Sequence, residues 1–110
     1  MNLIKTLHEK ALQLAAAFKK AEHELLCVLQ EVDTNRVFEK MGYSSLFTYA
    51  VTGLKLPESY TYALINVARK AVKVPELKAA IATGNLSVSQ AKKITSVITA
   101  ENSADWIGKA

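Results

Sequence analysis

From Leu3 to Val32 the chain runs without a glycine or a proline, and apolar side chains recur at Leu3, Leu7, Ala11, Leu14, Phe18, Ala21, Leu25, Val28 and Val32. Steps of three and four residues place these positions along one side of a 3.6-residue helix, and the intervening Ala, Lys, Glu and Gln supply helix propensity. The spacing predicts a long amphipathic helix of about 45 Å at the standard rise. Such a stripe has to be buried. In a protein of 110 residues the remaining chain offers four or five short helices, too few to cover the full length, so a helix from a second copy is a reasonable supplement. A homodimer through the N-terminal helix is therefore one partner expectation.

Glycine and proline punctuate the rest of the chain. Asp33 or Thr34 is placed to cap a short helix running to Met41, and Gly42 supplies the left-handed residue that commonly ends one. Ser44 or Ser45 starts a helix over roughly Leu46–Thr52 that stops at Gly53. Pro57-Glu58 opens a helix to Lys73, with proline at the first helical position and the carboxylate at the positive helix end. Pro75-Glu76 repeats this device for a helix to Thr83, stopped at Gly84. Ser87-Val88-Ser89-Gln90 has the form of a capping box for a helix to about Val97, and Glu101–Lys109 adds a last, shorter one. No alternating run is long enough for a strand, and Val88, Ala91, Ile94 and Ile98 keep the helical period through the β-prone residues near Val97. The expected fold class is all-α: a long N-terminal helix followed by a bundle of short helices containing two helix-turn-helix pairs. The first pair is Ser45–Gly53 with Pro57–Lys73, the second Pro75–Thr83 with Ser87–Val97.

No repeat or flexible linker divides the chain, so residues 1–110 are expected to form one helical domain. Within it, 1–41 holds the long and short helices and is the candidate dimerisation element, 42–100 is the helix-turn-helix region, and 101–110 is the start of a helix that reads as cut short. The last feature gives the expectation of a segment belonging to a longer protein.

Composition excludes several classes. One cysteine permits no intramolecular disulfide framework, and half the residues are apolar, which argues against disorder. No apolar run approaches the roughly 18 residues of a membrane span, and MNLIKTLHEK is unlike a signal peptide. The expected location is the cytoplasm, with no membrane partner. The net charge of +4 is unevenly distributed: residues 1–41 are neutral, residues 42–100 carry +5, and residues 101–110 carry −1. That asymmetry points to an anionic partner for the middle of the chain.

On a wheel for residues 57–73, Tyr60, Leu64, Val67, Ala68 and Ala71 share one side, and Ser59, Tyr62, Asn66, Arg69, Lys70 and Lys73 lie opposite. Arg can pair with guanine and Asn with adenine through two hydrogen bonds, while Ser, Tyr and Lys suit phosphate, and a recognition helix presents such groups along one stripe. An ordinary solvated helix face has the same polar composition. Tyr62 favours binding, because an aromatic ring among Asn, Arg and Lys is a costly choice for plain solvent, the alternative being a ring that covers a neighbouring helix. Lys92 and Lys93, with Ser89 and Ser96, form a second and weaker basic surface, with Lys78 across the preceding turn; scattered lysines of this kind are more often a plain solvated face than backbone contacts. The expected DNA-binding residues are therefore Ser59, Tyr62, Asn66, Arg69 and Lys73 for the main face, with Lys70, Lys92 and Lys93 on phosphates.

Catalytic and metal chemistry finds little footing. His8 and His23 are about 22 Å apart along one helix and cannot share a site within one chain. His23 and Cys27 lie four residues apart, but zinc ordinarily takes further protein ligands and no CxxC or HxxxH accompanies them. Glu22, Glu24 and Glu31 alternate with Lys19 and Lys20 in the manner of a solvated face. There is no GxSxG, Walker loop or GxGxxG. No catalytic residue, metal site or cofactor is expected within these residues.

The stretches EHELLCVLQEVDTNRVFEKMGYSSLFTYAVTGLKLPES, YALINVARKAVKVPELKAAIATGNLSVSQAKKI and TAEN together resemble the helical N-terminal region that precedes the catalytic domain of bacterial HNH-endonuclease-like proteins. The resemblance covers roughly residues 20–105. Its most specific pieces are Gly42-Tyr43-Ser44-Ser45-Leu46-Phe47-Thr48-Tyr49, Ala68-Arg69, Pro75-Glu76-Leu77, and Gly84-Asn85-Leu86-Ser87 with Gln90-Ala91. A weaker similarity runs to the helix-turn-helix region of ParB-type partition proteins. The resemblance implies a non-catalytic region that engages double-stranded DNA or assembles with protein, its nuclease lying further along a parent chain. The His-Asn-His metal centre of that nuclease matches nothing here, so no catalytic residue carries over. The rival expectation is a protein–protein interaction or dimerisation module with no direct nucleic-acid contact.

Overall fold

The computed structural model describes residues 2–109; Met1 and Ala110, the outer ends of the expected domain, lie outside the described residues. The chain is all-α, and no strand occurs among the described residues. Its helices are α1 (Asn2–Thr34), α2 (Val37–Lys40), α3 (Leu46–Thr48), α4 (Glu58–Lys73), α5 (Pro75–Ala82), α6 (Val88–Ile94) and α7 (Ser103–Lys109), with a π-helical turn at Tyr49–Gly53 continuing α3. Among the described residues, no helix is long and apolar enough to cross a membrane.

Helix α4 is the centre of the body. It packs against α1, α3, α5 and α6, and its Leu64, Ile65, Val67, Ala68 and Ala71 are buried. These meet Leu26, Leu29 and Val32 of α1, Leu77 and Ile81 of α5, and Val88, Ala91 and Ile94 of α6 in one core, to which Phe38, Leu46, Leu86 and Ile98 also belong. The wheel for α4 is shifted from expectation: Thr61 and Ile65 are buried, whereas Tyr60 is half-buried at the edge. Trp106 and Ile107 of α7 pack on the outside of the core.

Local signals set most of the boundaries. Ser45 caps α3, its hydroxyl accepting the Thr48 N–H at 3.0 Å. Pro75 occupies the first turn of α5. Ser87 and Gln90 form the full capping box of α6, with reciprocal bonds of 3.1 and 2.9 Å. Gly42 and Gly84 take the left-handed backbone expected at helix stops, at φ +91° and +81°.

Several local expectations differ from the structure. Asp33 and Thr34 are still inside α1, and Arg36, left-handed at φ 50°, precedes α2 without a side-chain cap. Pro57 stands one residue before α4, in extended conformation, and its carbonyl accepts the Thr61 N–H. Helix α6 ends at Ile94, short of the expected Val97, and the segment after it is held in turns by Asn102. The Asn102 side chain accepts the Thr99 N–H at 2.6 Å and donates to the Val97 carbonyl at 3.0 Å.

The largest difference concerns α1. Its buried residues are Glu22, Leu26, Leu29 and Val32, so the expected stripe supplies Val32 and, at the core's edge, the partly buried Leu25, while the rest of the core line lies beside Ala21, Leu25 and Val28. Val28 is 52% exposed. Residues 2–21 are exposed throughout, and this part of the helix contributes to the long dimension of a molecule measuring 54 × 36 × 20 Å.

Candidate nucleic-acid interface

Helices α4 and α6 pack against each other, and a groove between them collects Arg69, Lys70, Lys73 and Lys92 from the basic residues of the middle of the chain. Asn66, Arg69, Lys70 and Lys73 come from α4; Lys92 comes from α6, and Thr95 and Ser96 from the turn after it. The groove has a volume of about 400 Å³, and no carboxylate is among its lining residues. Cations converge there because α4 carries Asn66, Arg69, Lys70 and Lys73 at steps of three, one and three, a spacing that keeps them along one helix edge.

The helices on either side are tied by a buried carboxylate. Glu22 of α1 is 6% exposed; its Oε2 accepts the Tyr60 hydroxyl of α4 at 2.7 Å, and its Oε1 accepts the Val88 N–H of α6 at 3.1 Å. A negative charge at the first turn of α6 also satisfies one of its free N–H groups and complements the helix dipole. Gln30 adds a further link from α1 to α4, its amide donating to the Ala68 carbonyl at 2.8 Å. The assignment of Glu22 to a solvated face is thus corrected: it lies on the same side of α1 as Leu26 and Leu29, four and seven residues on.

The expected DNA-binding residues do not all meet in the groove. Asn66, Arg69, Lys70, Lys73 and Lys92 do. Tyr62 is exposed beside it, with Lys92 Nζ 5.7 Å from the centre of its ring, a cation–π arrangement that accounts for an aromatic side chain in a polar stripe. Ser59 is exposed near the start of α4 and is not among the groove-lining residues. Lys93 points to a neighbouring depression lined by Gln90, Ile94, Trp106 and Lys109. Lys78 lies with Cys27, Gln30 and Glu31 in another depression, outside the groove.

Arg69 is less free than its sequence position suggests. Its Nε and a terminal nitrogen donate to the two carboxylate oxygens of Asp33 at 3.0 and 3.1 Å. This hydrogen-bonded pairing raises the guanidinium pKa, against the opposing effect of burial. The bidentate fork resembles the geometry with which arginine holds phosphate or a base edge, so Asp33 occupies the donors that such a ligand would use. Asp33 is thirty-six residues from Arg69, and only the packing of α1 on α4 brings them together. Asn66 is also partly engaged, its amide donating to the Tyr62 carbonyl at 2.7 Å.

The His23 and Cys27 side chains meet, with Cys27 Sγ 3.5 Å from His23 Nε2. Among the described residues, no three His, Cys, Asp or Glu side chains are grouped so as to hold a metal ion. A scan against protein-family models gives no match, and searches of curated proteins and of solved structures give no similar protein.

Proposed function

We propose that the chain is a non-catalytic, helical DNA-binding module that receives the backbone of double-stranded DNA in the α4–α6 groove. The observation carrying this reading is the convergence of Arg69, Lys70, Lys73 and Lys92 on one groove whose lining includes no acidic side chain. Lys70, Lys73 and Lys92 supply phosphate contacts as point charges, and Ser96 supplies a short hydroxyl donor, while the Thr95 hydroxyl already donates to the Lys92 carbonyl at 3.0 Å. Asn66 and Arg69 are the residues able to reach a base edge, with Arg69 exchanging Asp33 for nucleic acid. Tyr62 braces Lys92. Lys93 and Ser59 contact only a ligand that extends beyond the groove.

The resemblance to the region preceding the nuclease of HNH-endonuclease-like proteins supports the same reading, and on it the cleavage chemistry belongs to a separate part of a parent protein. Fluorescence anisotropy with a labelled duplex at low salt tests the proposal. Binding is expected, and the combined Lys70→Ala, Lys73→Ala and Lys92→Ala variant is expected to lose it while keeping the helical circular dichroism of the parent. Absence of binding at low salt, or equal affinity of the folded triple variant, overturns it and favours a module that contacts protein alone.

A further inference from the structure

The N-terminal half of α1 is a helix without a covering. Over residues 2–21, about 30 Å of helix at the standard rise, every side chain is exposed. Large apolar groups stand on it in the open: Ile4 is 76% exposed, Leu14 70% and Phe18 62%, with Leu3, Leu7 and Leu12 also more than half exposed. An apolar strip of that extent is larger than a soluble surface ordinarily carries without a partner.

Its spacing identifies the kind of partner. Ile4, Leu7, Ala11, Leu14, Phe18, Ala21, Leu25 and Val28 alternate steps of three and four without a break. That is the 3.5-residue repeat of a coiled-coil seam, and it runs beside the line of Glu22, Leu26 and Leu29 that makes the internal core. At its C-terminal end the seam enters an open groove of about 430 Å³ lined by Phe18, Ala21, Leu25, Leu56, Pro57 and Tyr60, with Glu22 at its side. The groove wall is almost wholly apolar.

We propose that two copies of this chain pair through α1 as an antiparallel coiled coil, the Leu7–Leu14 segment of each lying along the other's Phe18–Leu25 and Leu56–Tyr60 groove. One register satisfies the whole seam. Ile4 faces the partner's Val28, Leu7 the partner's Leu25, Ala11 the partner's Ala21, and Leu14 the partner's Phe18, so that small residues meet small and large meet large. The two-fold axis repeats each layer. The same register sets Lys10 beside the partner's Glu24, giving two opposite-charge pairs on the flanks. A parallel pairing in register sets Lys10 beside the partner's Ala15 and gives no such pair. At roughly 100 Å² of apolar surface for each large side chain, the seam with its flanking alanines and Leu3 offers about 800 Å² per copy, the size of a stable specific interface. Leu12 lies off the seam. The dimer does not depend on the proposed DNA groove, which uses other residues on α4 and α6.

Sedimentation at several concentrations, combined with disulfide trapping, tests the pairing. Wild-type protein is expected to reach twice its monomer mass of 12.0 kDa. Phe18→Asp, at a position exposed in the monomer, is expected to sediment as a monomer with unchanged circular dichroism. In a Cys27→Ala background, Ala11→Cys combined with Ala21→Cys is expected to form a covalent dimer on mild oxidation, because the two positions are about 15 Å apart within one helix and cannot bridge internally. Ala11→Cys alone is expected to stay uncrosslinked. Lys10→Glu weakens the dimer, and adding Glu24→Lys restores it. A monomer at every concentration up to about 0.5 mM overturns the proposal. Efficient crosslinking of Ala11→Cys alone overturns the antiparallel register.

Discussion

The Tyr60 hydroxyl donates a 2.7 Å hydrogen bond to Glu22 Oε2, joining α4 to α1 across thirty-eight residues of sequence. Because the other Glu22 oxygen accepts the first free N–H of α6, Glu22 ties together the first turns of the two helices that wall the basic groove. Tyr60→Phe leaves a buried carboxylate oxygen without its donor and is expected to cost about 1–3 kcal/mol in urea unfolding. Burial and then the Glu22 carboxylate raise the Tyr60 pKa well above its usual range near 10. The unfolded chain therefore releases this proton first as pH rises. The contribution is fully present below about pH 10 and is lost on going above it, so wild-type stability is expected to fall more steeply through that range than that of Tyr60→Phe. Parallel stability–pH curves for the two proteins would contradict this linkage.

Thr61 presents the opposite case. It is fully buried on α4, and its Oγ1 has no hydrogen-bond partner among the described residues. Thr61→Val keeps the shape of the side chain and removes an unsatisfied polar atom, so it is expected to be neutral or to stabilise by up to about 1 kcal/mol. A shift of the urea midpoint to lower concentration would show that the hydroxyl has a partner in solution.

Asp33 restrains the groove's arginine. Asp33→Asn weakens the bidentate grip on Arg69 and removes a negative charge beside a cationic surface. Duplex affinity at low salt is expected to rise about 2- to 5-fold. The stability cost should be about 1 kcal/mol, since Arg69 is exposed and Asp33 is only partly buried. Unchanged or weaker DNA binding would mean that Arg69 does not face the nucleic acid.

Those outcomes depend on contacts that differ in how far the sequence discloses them. Ser87 with Gln90, Ser45 with Thr48, and Pro75 at the head of α5 are legible because each device acts over one turn of chain. The groove is partly legible: Asn66, Arg69, Lys70 and Lys73 share a helix edge by spacing, whereas the sorting of Lys92 into the groove and Lys93 out of it depends on how α6 rotates against α4. The burial of Glu22 and the pairing of Asp33 with Arg69 are not legible. Each joins elements more than thirty residues apart, and an isolated acidic residue on a charged helix carries no mark of its distant partner. The long helix is legible as a helix, but its apolar stripe and its core-facing line are neighbouring rows, which periodicity alone does not separate.

The salt dependence of duplex binding, measured for single alanine variants, is the sharpest probe of the basic groove. Lys73→Ala and Lys92→Ala, inside the groove, are each expected to reduce the slope of log affinity against log salt by about 0.9, the effect of one lost phosphate contact. Lys78→Ala, whose side chain lies in a different depression, is expected to leave the slope unchanged. Salt-independent binding, or an equal effect of all three substitutions, would contradict the placement of nucleic acid in the α4–α6 groove.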